Sequence, residues 1–286
     1  MRRITIPAPF LFLMPFLVIL TFDIVIPLFY AVYTSAYGGT GLSFEKYVGF
    51  QNYAAVFADS RFWASVSNML YFSAISVPVI VALTVGLALF IDSKIWKQKT
   101  ILKLIVFLPY AVPTVISGLV WSFMFDNRIG PVPLVLGIFG INMDMLSAAN
   151  VYYAMLMMVT WAWSGFFLII LLAGLRTVPN SIYEAAQIDG ASAFSMIVDI
   201  KLPSIGGFII LVLAMSLINN LLLFNEPYIL GYIVGLPDNI TPNIYIYTMT
   251  YKWGLYGLGA AMAFIMVLVS FALSFLFMYF TVLRRR

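Results

Sequence analysis

The residues with the greatest potential for chemistry lie in one polar stretch that runs from Glu184 to Pro203. This stretch offers carboxylates at Glu184 and Asp189, a pair of alanines and a glycine, so its chemistry is ion pairing and close backbone contact. The chain contains no Cys and no His, which excludes disulfides, thiolate metal sites, Cys or His nucleophiles and imidazole proton relays within it. The stretch therefore predicts a docking surface for a soluble partner, and the composition argues against an enzyme.

A second group of polar side chains lies inside long apolar runs. Polar groups are costly in lipid and usually face a bundle interior or a cavity, so these residues are candidates for a transport pathway. Tyr110, Thr114, Ser117 and Trp121 recur at helical spacing, which predicts one shared face. Asn219 and Glu226, seven residues apart, predict another. The alternative is that such residues only hold helices together. The candidates are Tyr110, Ser117, Trp161, Trp163, Ser164, Asn219, Asn220 and Glu226.

Membrane-spanning helices must position these residues, because 63% of the chain is hydrophobic and only 9% is charged. A span of about 30 Å of hydrocarbon takes about 20 helical residues, and lipid leaves an open backbone without hydrogen-bond partners. Six runs are long enough and nearly free of charge, which predicts an all-α, polytopic membrane protein with a single transmembrane domain over residues 1–286. The predicted spans are 10–34, 66–91, 101–125, 151–175, 204–230 and 254–281, with a loop at 176–203.

The distribution of Lys and Arg predicts the orientation, because these residues collect on the cytoplasmic side. Eleven of the 15 lie at one end of the predicted spans, which places both termini and the 176–203 loop in the cytoplasm. This bias accounts for the net charge of +4 without nucleic acid as a partner. The eleven are Arg2, Arg3, Lys94, Lys97, Lys99, Lys103, Arg176, Lys201, Arg284, Arg285 and Arg286, and the other four are Lys46, Arg61, Arg128 and Lys252.

The 176–203 loop carries the signals of a short helix. Ser181 and Glu184 form an S-x-x-E pattern, which predicts that the helix begins at Ser181 with a capping box. Gly190 suits the left-handed position that ends a helix. Alanines on one face let another backbone approach closely. The residues of that face are Ile182, Ala185, Ala186 and Asp189.

A second short helix follows in the same loop. Phe194, Ile197, Val198 and Lys201 are spaced to share one face of it, and Pro203 returns the chain to the membrane. Helices this short are marginal alone in water, so they must pack against something. A cytosolic partner is the natural candidate.

The same loop resembles the signature of permease subunits of binding-protein-dependent ABC importers, which reads E-A-A-x3-G-x9-I-x-L-P. Three further stretches, 49–53, 107–110 and 224–228, look like the carbohydrate branch of that family, the permeases for maltose, other oligosaccharides and glycerol phosphate. Residues 231–237 depart from the Thr and Gly-Gly-Pro that often follow in that branch. The signature residues are Glu184, Ala185, Ala186, Gly190, Ile200, Leu202 and Pro203.

The resemblance implies a division of labour. Two copies of a cytosolic ATPase subunit would grip the loop and drive alternating access. A second, non-identical permease would complete the pathway, and an extracellular solute-binding protein would deliver the solute. No G-x-x-x-x-G-K-[ST] pattern occurs in the chain, so ATP and Mg would be bound by the ATPase and this chain would hold no cofactor. The implied location is the cytoplasmic membrane of a bacterium or archaeon. The implied coupling residues are Glu184, Ala185, Ala186, Asp189, Gly190, Ile200, Leu202 and Pro203.

The cargo follows less directly. No Lys or Arg lies deep within a predicted span, which favours a neutral sugar, an oligosaccharide in particular, over an anionic one. A permease for glycerol phosphate or a polyol is the alternative within the family. An ion-coupled secondary transporter would need more spans and a buried ion-coupling residue, and a membrane enzyme would need converging catalytic groups. Asp23, an acidic residue near the centre of the first span, could either pair with a partner subunit or be hydrated in the pathway.

Overall fold

The computed structural model describes residues 8–40, 46–93 and 99–281, with side chains from Leu11 onward. These residues are mostly helical, with one small antiparallel pair of strands. Arg2, Arg3, Lys94, Lys97 and Arg284 to Arg286, on which the predicted orientation partly depends, lie outside the described residues.

The helices differ widely in length, and four short segments between them have 3-10 or π geometry. Strands β1 and β2 are Tyr37–Gly38 and Lys46–Tyr47, the 3-10 segment is Leu108–Ala111, and the π segments are Thr21–Val25, Met196–Lys201 and Thr248–Lys252. The α-helices are α1 Ala8–Leu20, α2 Ile26–Ser35, α3 Gln51–Ala58, α4 Ser60–Asp92, α5 Lys99–Phe107, α6 Thr114–Met124, α7 Pro131–Ile138, α8 Val151–Leu175, α9 Asn180–Ile188, α10 Ala193–Ser195, α11 Leu202–Ser204, α12 Gly206–Leu221, α13 Asn225–Val234, α14 Pro242–Tyr247 and α15 Tyr256–Thr281.

Within the described part of the chain, four helical stretches are long and apolar enough to cross a membrane, and two bent helix pairs raise the number of candidate spans to six if each pair is one span. This confirms the predicted all-α, polytopic fold. The four are Leu11–Ser35, Ser60–Asp92, Val151–Leu175 and Tyr256–Thr281, and the bent pairs are Lys99–Ala111 with Thr114–Met124 and Ala193–Ser204 with Gly206–Leu221.

The third predicted span is not one helix. Its two halves, Lys99–Ala111 and Thr114–Met124, are bent by 103°. Pro113 explains the break, because proline pushes the residue before it out of the α region, and Val112 is extended with ψ at 125°. The predicted shared face of Tyr110, Ser117 and Trp121 is therefore wrong, since Tyr110 lies before the break.

The fifth predicted span, 204–230, is also divided. Helix α12 ends at Leu221, and α13 begins at Asn225. Pro227 is the third residue of α13, where its missing N–H leaves no hydrogen bond unmade, so it is compatible with the first turn of this helix. The predicted shared face of Asn219 and Glu226 is wrong for the same reason, because the two residues lie on separate helices.

The first span is continuous but contains a π-helical segment. Pro27 has no N–H to donate to the carbonyl of Asp23, four residues earlier. The segment Thr21–Val25 widens to a π-helix, in which the N–H of Ile26 donates to the carbonyl of Thr21. The Asp23 side chain in this segment is exposed. Either role predicted for it, pairing with a partner subunit or hydration, stays a prediction.

The chain divides into two compact units. The first draws on residues up to 63 and on 245–269, and the second on 64–244 and residues from 270 onward. In the first unit, Asp59 accepts the backbone N–H groups of Arg61 and Phe62 at 2.9 and 3.1 Å, as a helix N-cap does. The Tyr245 hydroxyl donates to the other carboxylate oxygen of Asp59 at 2.8 Å. Asp59 thus fixes the start of α4 against α14.

Helix α8 forms the centre of the second unit. Half of its most apolar window is buried within the chain, and Met155, Leu168 and Leu171 have no exposed surface. Gly165 allows the tightest approach, because a Cβ there would lie 2.3 Å from the carbonyl oxygen of Val106. This contact sets α8 against the end of α5, and so positions the break in the third span.

Candidate functional site

The polar loop folds as helix α9, but without the predicted capping box. The helix begins one residue early, at Asn180, with Pro179 as its N-cap in extended conformation. No side chain makes a cap hydrogen bond, because Ser181 is already inside the first turn when the helix starts at Asn180. Asn180 and Pro179 therefore replace the predicted start at Ser181, while the helix itself is present.

The end of α9 matches the prediction closely. Gly190 has a φ of +79°, the left-handed conformation that a side chain would strain. Its N–H donates to the carbonyl of Gln187 at 3.2 Å, and the N–H of Ala191 donates to the carbonyl of Ala186 at 2.9 Å. These two bonds form a Schellman motif, which ends the helix and turns the chain sharply.

The residues implied to couple to an ATPase fall on an accessible surface. Glu184, Ala185, Asp189 and Gly190 are exposed, as are two large apolar neighbours in the loop, Ile188 at 86% and Phe194 at 75%. Apolar side chains this exposed within a polar loop are typical of surfaces that bind a partner. The remaining coupling candidates are half-buried at Ala186, Ile200 and Leu202, and exposed at Pro203.

The second helix of the loop departs from the predicted single face. Pro203 cannot donate to the carbonyl of Asp199, and Met196–Lys201 is a π-helix, in which the α-helical spacing no longer holds. Phe194 and Val198 are exposed, whereas the Lys201 side chain is largely enclosed.

A cluster of charged and aromatic side chains joins this loop to the ends of two spans. Lys201 forms an ion pair with Asp92, the last residue of α4, with 2.5 Å between Nζ and Oδ2. Lys99, the first residue of α5, donates to the backbone carbonyl of Asp92 at 3.1 Å. The Lys201 Nζ also lies 5.7 Å from the ring centroid of Tyr183 on α9. Burial, and then the nearby Asp92, raises the pKa of the Tyr183 hydroxyl, which is therefore neutral near pH 7.

Two of the pathway candidates meet at the break in the third span. Tyr110 lies 5.5 Å from Trp163 between ring centroids and stacks on Phe166 at 4.9 Å. A cleft of about 350 Å³ opens beside these rings. Next to it, Asn225 donates to the Thr114 hydroxyl at 2.9 Å. The arrangement offers an aromatic wall with amide and hydroxyl groups at its edge. The cleft is lined by Tyr110, Ala111, Val112, Pro113, Thr114, Ala162 and Trp163.

Four other candidates are packed between helices. Ser117, Ser164 and Asn220 are at most 4% exposed, and Trp161 packs edge-on against Trp121 at 5.7 Å. The Ser164 hydroxyl donates to the carbonyl of Thr160, within its own helix.

The three candidates on α12 and α13, which are Asn219, Asn220 and Glu226, do not come together at one site. Asn220 donates to the Ser76 hydroxyl on α4 at 2.6 Å, while its neighbour Asn219 is half-buried. Glu226 is 5% exposed in the first turn of α13. The structure thus brings Tyr110 and Trp163 together at one cleft and places the others elsewhere.

Sequence reasoning missed Asp92, Tyr183 and Asn225 as parts of these sites. Asn225 carried a weak signal, because it stands between two helical runs beside Glu226 and Pro227. Asp92 carried none, since its partner Lys201 is 109 residues away in sequence, and Tyr183 carried none, since only the folding of the loop brings its ring near Lys201.

A helical chain with several apolar spans and a structured polar loop between two of them is an integral membrane protein. A family model for the "binding-protein-dependent transport system inner membrane component" matches residues 84–285. The chain belongs to this family, which confirms the predicted resemblance.

Relatives and solved structures agree with this membership. The trehalose/maltose transport system permease protein MalF of Thermococcus litoralis is 31% identical over 97% of this chain and 94% of its own length. The sulfoquinovosyl glycerol transport system permease protein SmoG of Agrobacterium fabrum is 31% identical over 92% of this chain and 87% of its own. The crystal structure of a bacterial ABC transporter that imports the acidic polysaccharide alginate matches with a TM-score of 0.81, at 21% identity, over 96% of this chain and 94% of the matched chain. This last similarity concerns the fold.

Proposed function

We propose that this chain is a permease subunit of an ATP-driven importer, and that it translocates a sugar, an oligosaccharide in particular. In this proposal an extracellular solute-binding protein delivers the sugar, and a second, non-identical permease completes the pathway. Two copies of a separate ATPase subunit bind ATP and Mg and drive alternating access through the 184–203 loop. The chain resides in the cytoplasmic membrane of a bacterium or archaeon, as an inner membrane component of its family would.

The observation that carries the coupling proposal is the exposed helix α9 with its glycine turn. Its carboxylate at Glu184 is free to meet a basic residue, and the adjacent Ala185 lets another backbone come close. Ile188 and Phe194 add exposed apolar surface, which a partner would bury. The Schellman turn at Gly190 fixes the angle between α9 and the next helix. A movement of α9 would therefore be transmitted to that helix rather than taken up by bending of the turn.

The coupling proposal is tested with the assembled transporter in proteoliposomes. Glu184→Lys reverses the charge of the docking surface, and Gly190→Pro imposes a φ that the turn cannot adopt. Both variants are expected to insert normally but to hydrolyse ATP without moving sugar. Asp199→Lys is the matched control, because it reverses a charge in the same loop where the carboxylate bonds Ser195 at 2.6 Å. Full transport by both Glu184→Lys and Gly190→Pro contradicts the proposal.

The cargo proposal rests on the relatives and on the aromatic cleft. One relative carries trehalose and maltose in its name, and stacked rings suit the apolar C–H faces of a sugar. No Lys or Arg among the residues lining the cleft would pair with an anionic sugar. A thermal-shift screen of the cognate binding protein against neutral and acidic saccharides tests this. Stabilisation by a neutral oligosaccharide is expected, and no stabilisation by any saccharide contradicts it.

A matched tryptophan pair tests the cleft itself. Trp163 lines the cleft, whereas Trp161 packs against Trp121. We expect Trp163→Leu to raise the KM for uptake with little effect on folding, and Trp161→Leu to lower thermal stability instead. Uptake at an unchanged KM in Trp163→Leu contradicts a role for the cleft.

Dependence of uptake on an ion gradient instead of internal ATP would favour a secondary transporter.

A further inference from the structure

A three-way junction lies where the cytoplasmic loop meets the second and third spans. Asp92 is the last residue of α4, Lys99 is the first residue of α5, and Lys201 belongs to the helical segment that follows α9. Lys201 contacts Asp92 by a 2.5 Å ion pair, and Lys99 donates to the Asp92 carbonyl at 3.1 Å. Asp92 therefore has two partners. Its carboxylate contacts Lys201, which is 109 positions away in sequence, and its backbone carbonyl accepts the hydrogen bond from Lys99.

The ion pair is enclosed enough to have a defined geometry. The Lys201 side chain is 13% exposed and the Asp92 side chain 31% exposed. Ion pairs that are partly removed from water attract more strongly and are less screened by salt than fully exposed ones. The neutral ring of Tyr183 lies on another side of the Lys201 ammonium group, at 5.7 Å. Lys201 is thus held between α9 and the end of α4.

A cavity beside the junction limits the contacts through which α9 could be linked to the spans. A cavity of about 630 Å³ separates parts of the loop from the ends of α4 and α5. Where packing is interrupted by a cavity, movement passes through the side chains that bridge it. Asp92, Lys201 and Tyr183 all stand at the wall of this cavity.

We propose that Asp92 and Lys201 are positioning residues for ATP-driven transport, and that their ion pair transmits movement of α9 to α4 and α5. This rests on the proposed role of the 184–203 loop in coupling. Movement of α9 would displace Lys201 through the Tyr183 contact, and Lys201 would then move Asp92. The break at Pro113 lies at the far end of Lys99–Ala111, the half of the bent span that Lys99 begins, so the displacement would reach the aromatic cleft.

A double-mutant cycle in the reconstituted transporter tests this proposal. Lys201→Met and Asp92→Asn each remove one charge, and the quantity measured is sugar transported per ATP hydrolysed. Each single variant is expected to lower this ratio by roughly three- to tenfold, near the lower end of the range that coupling between contacting residues implies. The double variant is expected to be no worse than either single one, because the same interaction is removed once.

Controls separate transmission from folding. Lys201→Arg keeps the charge and should retain the normal ratio, while Lys103→Met removes a nearby cytoplasmic-side cation and should have no effect. Thermal stability and the amount of bound ATPase should stay constant across the set. If Lys201→Met fails to assemble, Lys201→Arg and Lys201→Gln give the same comparison with and without the charge.

Two results would overturn the proposal. One is a normal transport ratio in Lys201→Met or Lys201→Gln, and the other is a double variant whose loss equals the product of the single losses. Failure of the coupling proposal itself looks different, because then Glu184→Lys and Gly190→Pro also transport normally. A set in which those two uncouple while the Asp92 and Lys201 variants do not rejects only the ion pair.

Discussion

Asn219 and Asn220 are adjacent in sequence, but their side chains lie on different faces of α12 and have different roles. Asn220 is 1% exposed and donates to the Ser76 hydroxyl at 2.6 Å, whereas Asn219 is half-buried on another face of α12. Both were predicted to line the transport pathway. The contacts of Asn220 are those of a residue that holds α12 against α4, and the half-open position of Asn219 keeps it available to a solute.

We expect Asn220→Ala to destabilise the transporter by about 1–2 kcal/mol, through the lost hydrogen bond and the unpaired Ser76 hydroxyl. The measurement is the thermal unfolding midpoint of the purified complex. Asn219→Ala is the matched control and should leave that midpoint unchanged. Equal midpoints for the two variants would show that the Asn220 bond contributes nothing.

At the scale of elements, close backbone approach decides which helices pack. A Cβ at Gly165 would lie 2.3 Å from the Val106 carbonyl oxygen and 2.5 Å from the Phe107 Cα, and backbone atoms cannot move aside as a side-chain end can. At Gly86 on α4, an added Cβ meets nothing within 4 Å. The two glycines therefore provide a substitution of the same chemistry in opposite surroundings.

Gly165→Ala is expected to separate α8 from the end of α5 and to lower the yield of folded transporter sharply, since overpacking against backbone costs at least about 1–3 kcal/mol. Gly86→Ala should be neutral or stabilising by up to about 1 kcal/mol, because alanine favours the helix. Yield after size-exclusion chromatography and the unfolding midpoint measure both. A Gly165→Ala protein as stable as the unsubstituted chain would contradict the packing.

The helices themselves were largely predictable, and their breaks were not. Apolar runs identified the spans because lipid requires every backbone group to be bonded within the helix. Pro109 and Pro113 signalled a disturbance, but not a bend of 103°, since the angle depends on how α8 packs on both halves. The fifth span breaks before Pro227 rather than at it, and no local signal at 222–224 foretold this.

The structure of the polar loop was also predictable only in part. Gly190 was predictable because a left-handed residue is needed to end α9 and glycine alone adopts it without strain. The Ser181 cap was wrong because a capping pattern fixes the helix start only when nothing upstream begins the helix sooner. The contact between Lys201 and Asp92 depends on tertiary packing, which one sequence does not encode in any short pattern.

At the scale of the molecule, the distribution of Lys and Arg predicts the orientation of the chain in the membrane. Helix α8 provides a local test. Its 25 residues extend about 37 Å, enough to place Ala149 and Thr177 on opposite sides of the bilayer. Both side chains are exposed.

The absence of cysteine from the chain makes this test clean, since any introduced thiol is unique. We expect Thr177→Cys to react with a membrane-impermeant maleimide only in inside-out vesicles, and Ala149→Cys only in intact spheroplasts. The reason is the excess of Lys and Arg on the side of Thr177, where positive charge resists translocation. The unsubstituted chain should not react in either preparation. The reverse pattern would place α9 outside the cell, beyond the reach of any cytosolic ATPase, and would remove the physical basis for coupling through Glu184 and Lys201 together.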